Sequence, residues 1–286
     1  MTLPKYIITL LLTLFLLSYK LTAHADINLK FGVYTTNKPS EMVKKFRPIL
    51  NALEAGMSNQ LGEKVRISTQ ISDSYENGRQ AIVHGTVDFS HLGPVSYVLA
   101  KKENPNLTIL LKESLKGKQL IRGIIAVHRD SLIQTIRGLR GKRFAFGSKT
   151  STTGRYLAQY HLQKNGIYAK DFQIYNYLGR HDNVGIAVAS KIDFDAGSLN
   201  ETTFNKLVNK GYPLRALDHF NVDVSKPWVA REGLEPQIRQ SLKDVLLSLN
   251  ADTSIKRFQK KPLVDGVDTD FENVRKAIES NNLFFK

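Results

Sequence analysis

The alternation of apolar and polar positions in INLKFGVY (residues 27–34) predicts a strand with one face against a core. Asn37, Lys38, Pro39 and Ser40 then break the chain. Met42, Phe46, Ile49, Leu50 and Leu53 recur at spacings of three and four, the stripe of an amphipathic helix starting at Glu41 with Ser40 as its N-cap. Residues 64–71 (KVRISTQI) alternate again as a strand, residues 76–84 predict a short helix and residues 87–89 a brief strand. Pro94 suits a first helical position, where its missing N–H is unpaired anyway, and SYVLAKKE continues that helix.

The second half repeats this alternation without repeating the sequence. Strands are predicted over 123–128, 142–146, 172–178 and 194–196, and helices over 153–165 and 183–191. A strand at 228–230 is followed by a helix over 235–249, with Ile238, Leu242, Val245, Leu246 and Leu249 on one face. Short strands alternating with helices mean crossover connections, hence an α/β fold with largely parallel sheets. No low-complexity linker separates the halves, so two lobes joined by direct strand crossings are expected.

The N-terminus stands apart from this pattern. Lys5, an apolar run over 6–17 and then Ala23-His24-Ala25 form the pattern of a secretory signal peptide cleaved after Ala25. The run is shorter than the roughly 20 apolar residues of a membrane span, and an uncleaved anchor is the competing reading. Without cysteine there is neither a lipid-modified cysteine after the cut nor a disulfide framework. A free, monomeric protein of a bacterial periplasm is expected. Cleavage of 25 residues from 286 leaves 261, enough for one large or two modest domains. The net charge of +15 falls to +13 once Lys5 and Lys20 are removed. Nucleic acid is the usual partner of so basic a chain, but export argues against it and favours small anionic solutes or an anionic membrane surface. The basic pairs are scattered along the chain, as on a merely solvated surface.

The stretch FGSKTSTTGR concentrates hydroxyls at Ser148, Thr150, Ser151, Thr152 and Thr153, between a strand and a helix. The first N–H groups of that helix lack intrahelical partners and carry the positive end of its dipole. With Ser151 as the cap, the cluster is either an anion cradle or a set of caps and loop hydrogen bonds. It is not a nucleotide-binding P-loop: six residues separate Gly147 from Gly154, and Arg155-Tyr156 follows. The seven histidines show no metal-protease spacing, and an HD-type hydrolase needs a second His/Asp set on an all-helical scaffold. No enzyme, metal site or cofactor is therefore expected.

GKRFAFGSKTSTTG resembles KGKTFAFG-x-x-x-STSG, the entry to the anion-binding helix in the phosphonate/phosphite/phosphate-binding periplasmic proteins of bacterial ABC importers. VDFSHLGPVSYVLA resembles the family's VDxxxxGPLSYVLA, and GRHDNVGIAVASKIDFDAGSLNET its S-HDAALLAVxxGxVDAGxxxxS. PWVAREGLEPQIRQSLKDVLLSL resembles P-x-VVRKDLPPELxxxIxxALLSL, so the likeness spans about residues 29–249. It implies a class II periplasmic binding fold with the ligand in a cleft between two lobes, one of residues 26–119 plus 226–286, the other of 120–225. Carried onto this chain, the ligand-binding residues are Tyr75, Tyr97, Ser151, Thr152, Thr153, His181 and Asp182.

Phenols from Tyr75 and Tyr97 and hydroxyls from Ser151 to Thr153 suit an oxyanion, since a desolvated charge needs hydrogen bonds above all. A carboxylate at Asp182 suits a ligand with a P–OH or an ammonium group, and His181 either donates to the same oxygen or fixes a turn. Three positions depart from the family pattern. Tyr34 closes the first strand and Thr35 follows it, where the family pattern has a glycine, proline or acidic residue soon after the strand, and Lys226 precedes the proline of the return crossing. A cleft-facing Lys226 favours a more negative ligand. The partners implied are a small anion (phosphonate, phosphite or phosphate) and an ABC permease, or a membrane sensor if the protein signals instead of transporting. Adhesion to a membrane surface through the positive charge is a third reading.

Overall fold

The computed structural model describes residues 26–114, 120–255 and 261–286. The expected signal peptide and its cleavage site lie outside these residues. Along the chain run β1 (Ile27–Tyr34), α1 (Pro39–Leu61), β2 (Val65–Ser72), α2 (Tyr75–Val83), β3 (Phe89–His91), α3 (Pro94–Glu103) and β4 (Thr108–Glu113). The chain then enters β5 (Leu120–His128) and β6 (Arg143–Phe146), a wide π-type turn at Thr152–Tyr156 that runs into α4 (Leu157–Lys164), β7 (Ile174–Tyr177), α5 (His181–Ser190), β8 (Ala196–Asn200), α6 (Glu201–Asn209) and β9 (Leu214–Asp223). It returns through β10 (Pro227–Ala230), α7 (Pro236–Ser248), β11 (Leu263–Val264) and α8 (Glu272–Ser280).

Two sheets result, ordered β11-β4-β10-β3-β1-β2 and β7-β6-β8-β5-β9. They are more mixed than the sequence pattern suggests. β1 pairs parallel with β2 and β3, and β6 parallel with β7 and β8, whereas β10 and β11 in the first sheet and β5 and β9 in the second pair antiparallel. β5 and β10, the strands that enter from the neighbouring lobe, run against the strands laid down by local crossovers, and β9 and β4 pair antiparallel with them.

The first sheet packs one face on α1 and α7, where Phe31 lies 5.1 Å from Phe46 and 5.5 Å from the fully buried Trp228 between ring centroids. Each such aromatic contributes roughly 1.5–3 kcal/mol by leaving water. Its other face buries Tyr34, Tyr75, Ile82, Tyr97 and Phe271. The second sheet is covered by Leu157 and Leu162 of α4 on one side and by Val184, Val188, Phe204 and Leu207 of α5 and α6 on the other.

The C-terminal stretch does not stay with the first sheet, where the sequence reading put all of 226–286. Phe271 packs on Tyr97 with centroids 4.5 Å apart, but Phe284 is buried against Phe146 at 5.8 Å in the second core. Two aromatic residues only thirteen positions apart thus tie the two sheets together, in addition to the crossings at β4–β5 and β9–β10.

Candidate functional site

Four helix starts meet where the two sheets face each other: Tyr75 opens α2, Pro94 opens α3, Thr152 opens the turn leading to α4, and His181 opens α5. Each start presents first-turn N–H groups that lack intrahelical partners and the positive end of its peptide dipoles. Ser74 caps α2 through the Asn77 N–H at 3.1 Å, and Ser151 caps its own turn, accepting the Gly154 N–H at 3.0 Å as the sequence predicts. A Ser151→Ala variant is expected to lose about 1 kcal/mol with that cap, a fall of about 2–4 °C in melting temperature, readable by circular dichroism.

The hydroxyl cluster is held close to its strand by a contact without side chains. Gly147 donates its N–H to the Gly154 carbonyl at 2.8 Å, and the Ser198 hydroxyl from β8 donates to the same carbonyl at 2.8 Å. A Cβ on either glycine would stand within 3.0 Å of the other's Cα. The pair therefore sets the distance between the end of β6 and the turn that carries Ser151, Thr152 and Thr153, all buried.

Those residues reach the other lobe. The Thr152 hydroxyl accepts the Val95 N–H of α3 at 3.2 Å. Burial raises the Tyr75 phenol well above its ordinary pKa, with Tyr34 adding to the effect and Ser151 opposing it. The Tyr75 hydroxyl also lies 3.3 Å from His181 Nε2, and the His181 backbone N–H donates to the Thr36 carbonyl at 3.3 Å. Toward the rim, Thr203 Oγ1 donates to Asn37 Oδ1 at 3.2 Å and Lys206 pairs with Glu41. These contacts join residues on either side of the strand crossings.

His181 is 4% exposed, and its Nδ1 is buried without a hydrogen-bond partner among the described residues. Burial, with Lys226 nearby and Asp182 only partly opposing, pushes its pKa down to about 4, so the ring is neutral at pH 7. In the tautomer that accepts from Tyr75 at Nε2, Nδ1 carries the proton and has no partner among the described residues. An orphan donor of this kind is costly unless it meets an acceptor.

The remaining sequence-predicted residues are engaged elsewhere. Tyr97 is fully buried, but its hydroxyl donates to Asp268 Oδ1 at 2.7 Å, a carboxylate that Arg275 also holds at 2.7 Å. The C-terminal stretch therefore consumes the phenol expected at the ligand. Thr35 donates to the Asp73 carbonyl at 2.6 Å. Asp182 is gripped by Arg180 in a fork, Nε to Oδ1 at 2.9 Å and Nη2 to Oδ2 at 2.8 Å. This charge-assisted pair leaves the carboxylate less free to accept from a ligand than its place beside His181 implies. Tyr34 hydrogen-bonds the start of α3, accepting the Gly93 N–H at 2.6 Å.

Lys226 sits in the return crossing, its carbonyl accepting the Glu113 N–H at 3.0 Å. Its ammonium acts on three buried groups from both lobes: it depresses His181 and His91 and favours ionised Glu113. His91 Nε2 lies 3.0 Å from Glu113 Oε1 and its ring packs 5.0 Å from Trp228. Among the described residues no group of three His, Cys, Asp or Glu is placed to hold a metal, and no helix is long and apolar enough to cross a membrane.

Sequence reasoning missed Arg180 and Ser198. Arg180 adjoins the His-Asp pair, and that adjacency was the available signal. Ser198 lies in AGSLN, a strand buried on both faces with no alternation to read.

Residues 31–272 match the profile of a family described as the periplasmic substrate-binding protein of phosphonate ABC transporters. A probable ABC transporter phosphite binding protein from Prochlorococcus marinus is 26% identical over 247 residues, covering 83% of this chain and 81% of that protein. A phosphate-import protein from Mycolicibacterium smegmatis is 23% identical over 243 residues, with 79% and 72% covered. The crystal structure of the Prochlorococcus marinus protein PhnD1 in complex with methylphosphonate superimposes with a TM-score of 0.75 at 23% identity, covering 89% of this chain and 98% of that one. That likeness shows the two-lobed fold of periplasmic binding proteins, of the class II type that the sequence resemblance implies. With the match running across both sheets and the helix starts between them, the chain belongs to the family of periplasmic substrate-binding proteins of phosphonate ABC transporters.

Proposed function

We propose that this protein captures a small phosphorus oxyanion, such as phosphite, phosphate or a short phosphonate, between its lobes and hands it to the permease of an ABC importer, without chemistry of its own. The observation that carries the reading is His181 Nδ1, a buried ring nitrogen with no partner among the described residues, at a junction of four helix starts lined by neutral hydroxyls. Ser151, Thr152, Thr153, Tyr75 and His181 are the proposed contacts. Such donors stabilise an anion without a direct counter-ion because they replace its hydration. Lys226 supplies long-range positive charge from the hinge, and Asp182 acts through Arg180 in place of a direct contact.

The lobes proposed are residues 26–119 with the chain from 226 onward, and residues 120–225. A ligand that touches both only when they are closed shifts the population toward closure by its difference in affinity for the two forms. The mature chain, proposed to begin after Ala25 and to work as a monomer in the periplasm, needs no anchor for this. Relatives named for phosphite, phosphate import and a methylphosphonate complex support the ligand class. No observation favours signalling to a membrane receptor.

Thermal melts of the purified mature protein test the proposal. A ligand at a hundred times its Kd adds about 2.7 kcal/mol, so phosphite, phosphate or methylphosphonate is expected to raise the melting temperature by about 5–10 °C, with sulfate giving less. If none of the three shifts the melt at millimolar concentration, the function is wrong.

A further inference from the structure

We propose that Tyr34 sets the size limit of the site, so that the bound anion is a compact phosphorus oxyanion whose fourth substituent is hydrogen, hydroxyl or methyl. This rests on the binding function proposed above and names its ligand more narrowly. Tyr34 ends β1 and is 4% exposed, with its ring tilted against that of Tyr75 and the centroids 4.3 Å apart. Its phenol oxygen accepts the Gly93 N–H at 2.6 Å and donates to Ser96 Oγ at 3.2 Å, while Thr152 takes the Val95 N–H at 3.2 Å. The Gly93 and Val95 N–H groups at the start of α3 are thus satisfied from within the chain. A ligand oxygen can use them only by displacing a tyrosine packed on every side.

Two glycines show that this packing is built in. A Cβ on Gly78 would stand 2.6 Å from Tyr34 Cβ, and one on Gly93 would stand 3.0 Å from the phenol oxygen. Gly93 has φ −71°, open to any residue, and Gly78 lies inside α2. Neither needs glycine for its backbone, so what the missing side chains provide is space for Tyr34. The same Gly93 Cβ position lies 3.6 Å from Thr152 Oγ1. The tip of the tyrosine therefore abuts the hydroxyl cluster, and a substituent extending from an anion there toward α3 runs into the ring. Small donors from the other three helix starts remain for the oxygens, but room for a carbon chain on this side does not.

Isothermal calorimetry with phosphite, methylphosphonate, ethylphosphonate and 2-aminoethylphosphonate tests this on the intact mature protein. The wild type is expected to bind phosphite or methylphosphonate at least tenfold tighter than either two-carbon phosphonate. Tyr34→Ala is expected to narrow that ratio at least tenfold, and Tyr34→Phe, which keeps the ring and loses the hydroxyl, to preserve it. Tyr34→Leu serves if the alanine variant shows no cooperative melt, and is expected to narrow the ratio in the same direction. Tight binding with no size preference in the wild type, or an unchanged ratio in a folded Tyr34→Ala or Tyr34→Leu protein, overturns the proposal and leaves the binding function standing. Failure of all four ligands to bind the wild type overturns both.

Discussion

Replacing Gly154 by alanine is expected to lower the melting temperature by about 6–12 °C and to weaken oxyanion binding about a hundredfold. The added methyl would lie 2.9 Å from the Gly147 Cα and 2.9 Å from Ser151 Oγ. The first neighbour is backbone at the end of β6 and cannot rotate away, so the turn must move. Overpacking of this kind costs about 1–3 kcal/mol and at times more, and a backbone obstacle argues for the upper end. At about 2–4 °C per kcal/mol for a chain of this size, that gives the expected shift. Binding suffers with stability because Gly154 anchors the cluster three ways: its N–H caps on Ser151, and its carbonyl receives Gly147 N–H and the Ser198 hydroxyl. Displacing the turn loosens Ser151, Thr152 and Thr153 together. Two ligand hydrogen bonds at about 1.5 kcal/mol each make roughly 3 kcal/mol, or about a hundredfold. Melts and calorimetry on the variant check both numbers. A Gly154→Ala protein that melts within 2 °C of wild type and binds normally would show that the close approach at Gly147 sets nothing in the site.

Much of this site was readable in the sequence where chemistry is local. Ser151 precedes a helical stripe after a strand, and it caps that helix turn. β1 runs from Ile27 to Tyr34 as its alternation requires. The start of α1 shows which local rule wins when two compete. Ser40 was the expected cap, but Pro39 occupies the first helical position, Lys38 stands at the cap with no side-chain hydrogen bond, and Ser40 lies inside the helix. A proline with its φ already near the helical value outranks a cap that its neighbour can only follow.

What the sequence hid depends on distant partners or on burial from both sides. Tyr97 looked like a ligand contact because its motif is local, yet the residue that takes its hydroxyl, Asp268, is 171 positions away. Tyr34 could be assigned to a strand but not to the helix start it satisfies, since that needs the register of β1 beside β3. The strand expected at 194–196 instead runs Ala196–Asn200, where inward and outward positions are both covered and no period of two remains. β4 and β9 went unread, although β9 is the strand that delivers the chain to Lys226 and the return crossing.

Acidification is expected to destabilise the protein steeply between pH 6.5 and 4, through His181 and His91. The folded pKa is pushed down to about 4 from the ordinary 6.5, chiefly by burial and then by Lys226. The unfolded chain therefore takes up the proton first as the pH falls, and the folded form must stay neutral or pay for a buried charge. The contribution of this group is complete above pH 6.5, declines as the pH drops, and levels off below about pH 4. A separation of roughly 2.5 units corresponds to about 3 kcal/mol over the whole interval, of which about 2 kcal/mol is gone by pH 5. His91 acts in the same sense, its pKa lowered by burial to about 4 despite Glu113 beside it. Burial alone would raise the Glu113 carboxyl, but the His91 hydrogen bond and the positive charges of Lys226 and Lys45 hold it well below its usual range, so the pair stays neutral imidazole with carboxylate through this window. Melting curves of wild type and His181→Gln from pH 7.5 to 4.5 separate the contributions: the glutamine keeps a buried polar group without the titration, so its melting temperature is expected to fall less, by about 4–8 °C at pH 5. Parallel curves for the two proteins would mean that His181 is open to solvent in the folded state, which would also remove the buried Nδ1 donor on which the anion site depends.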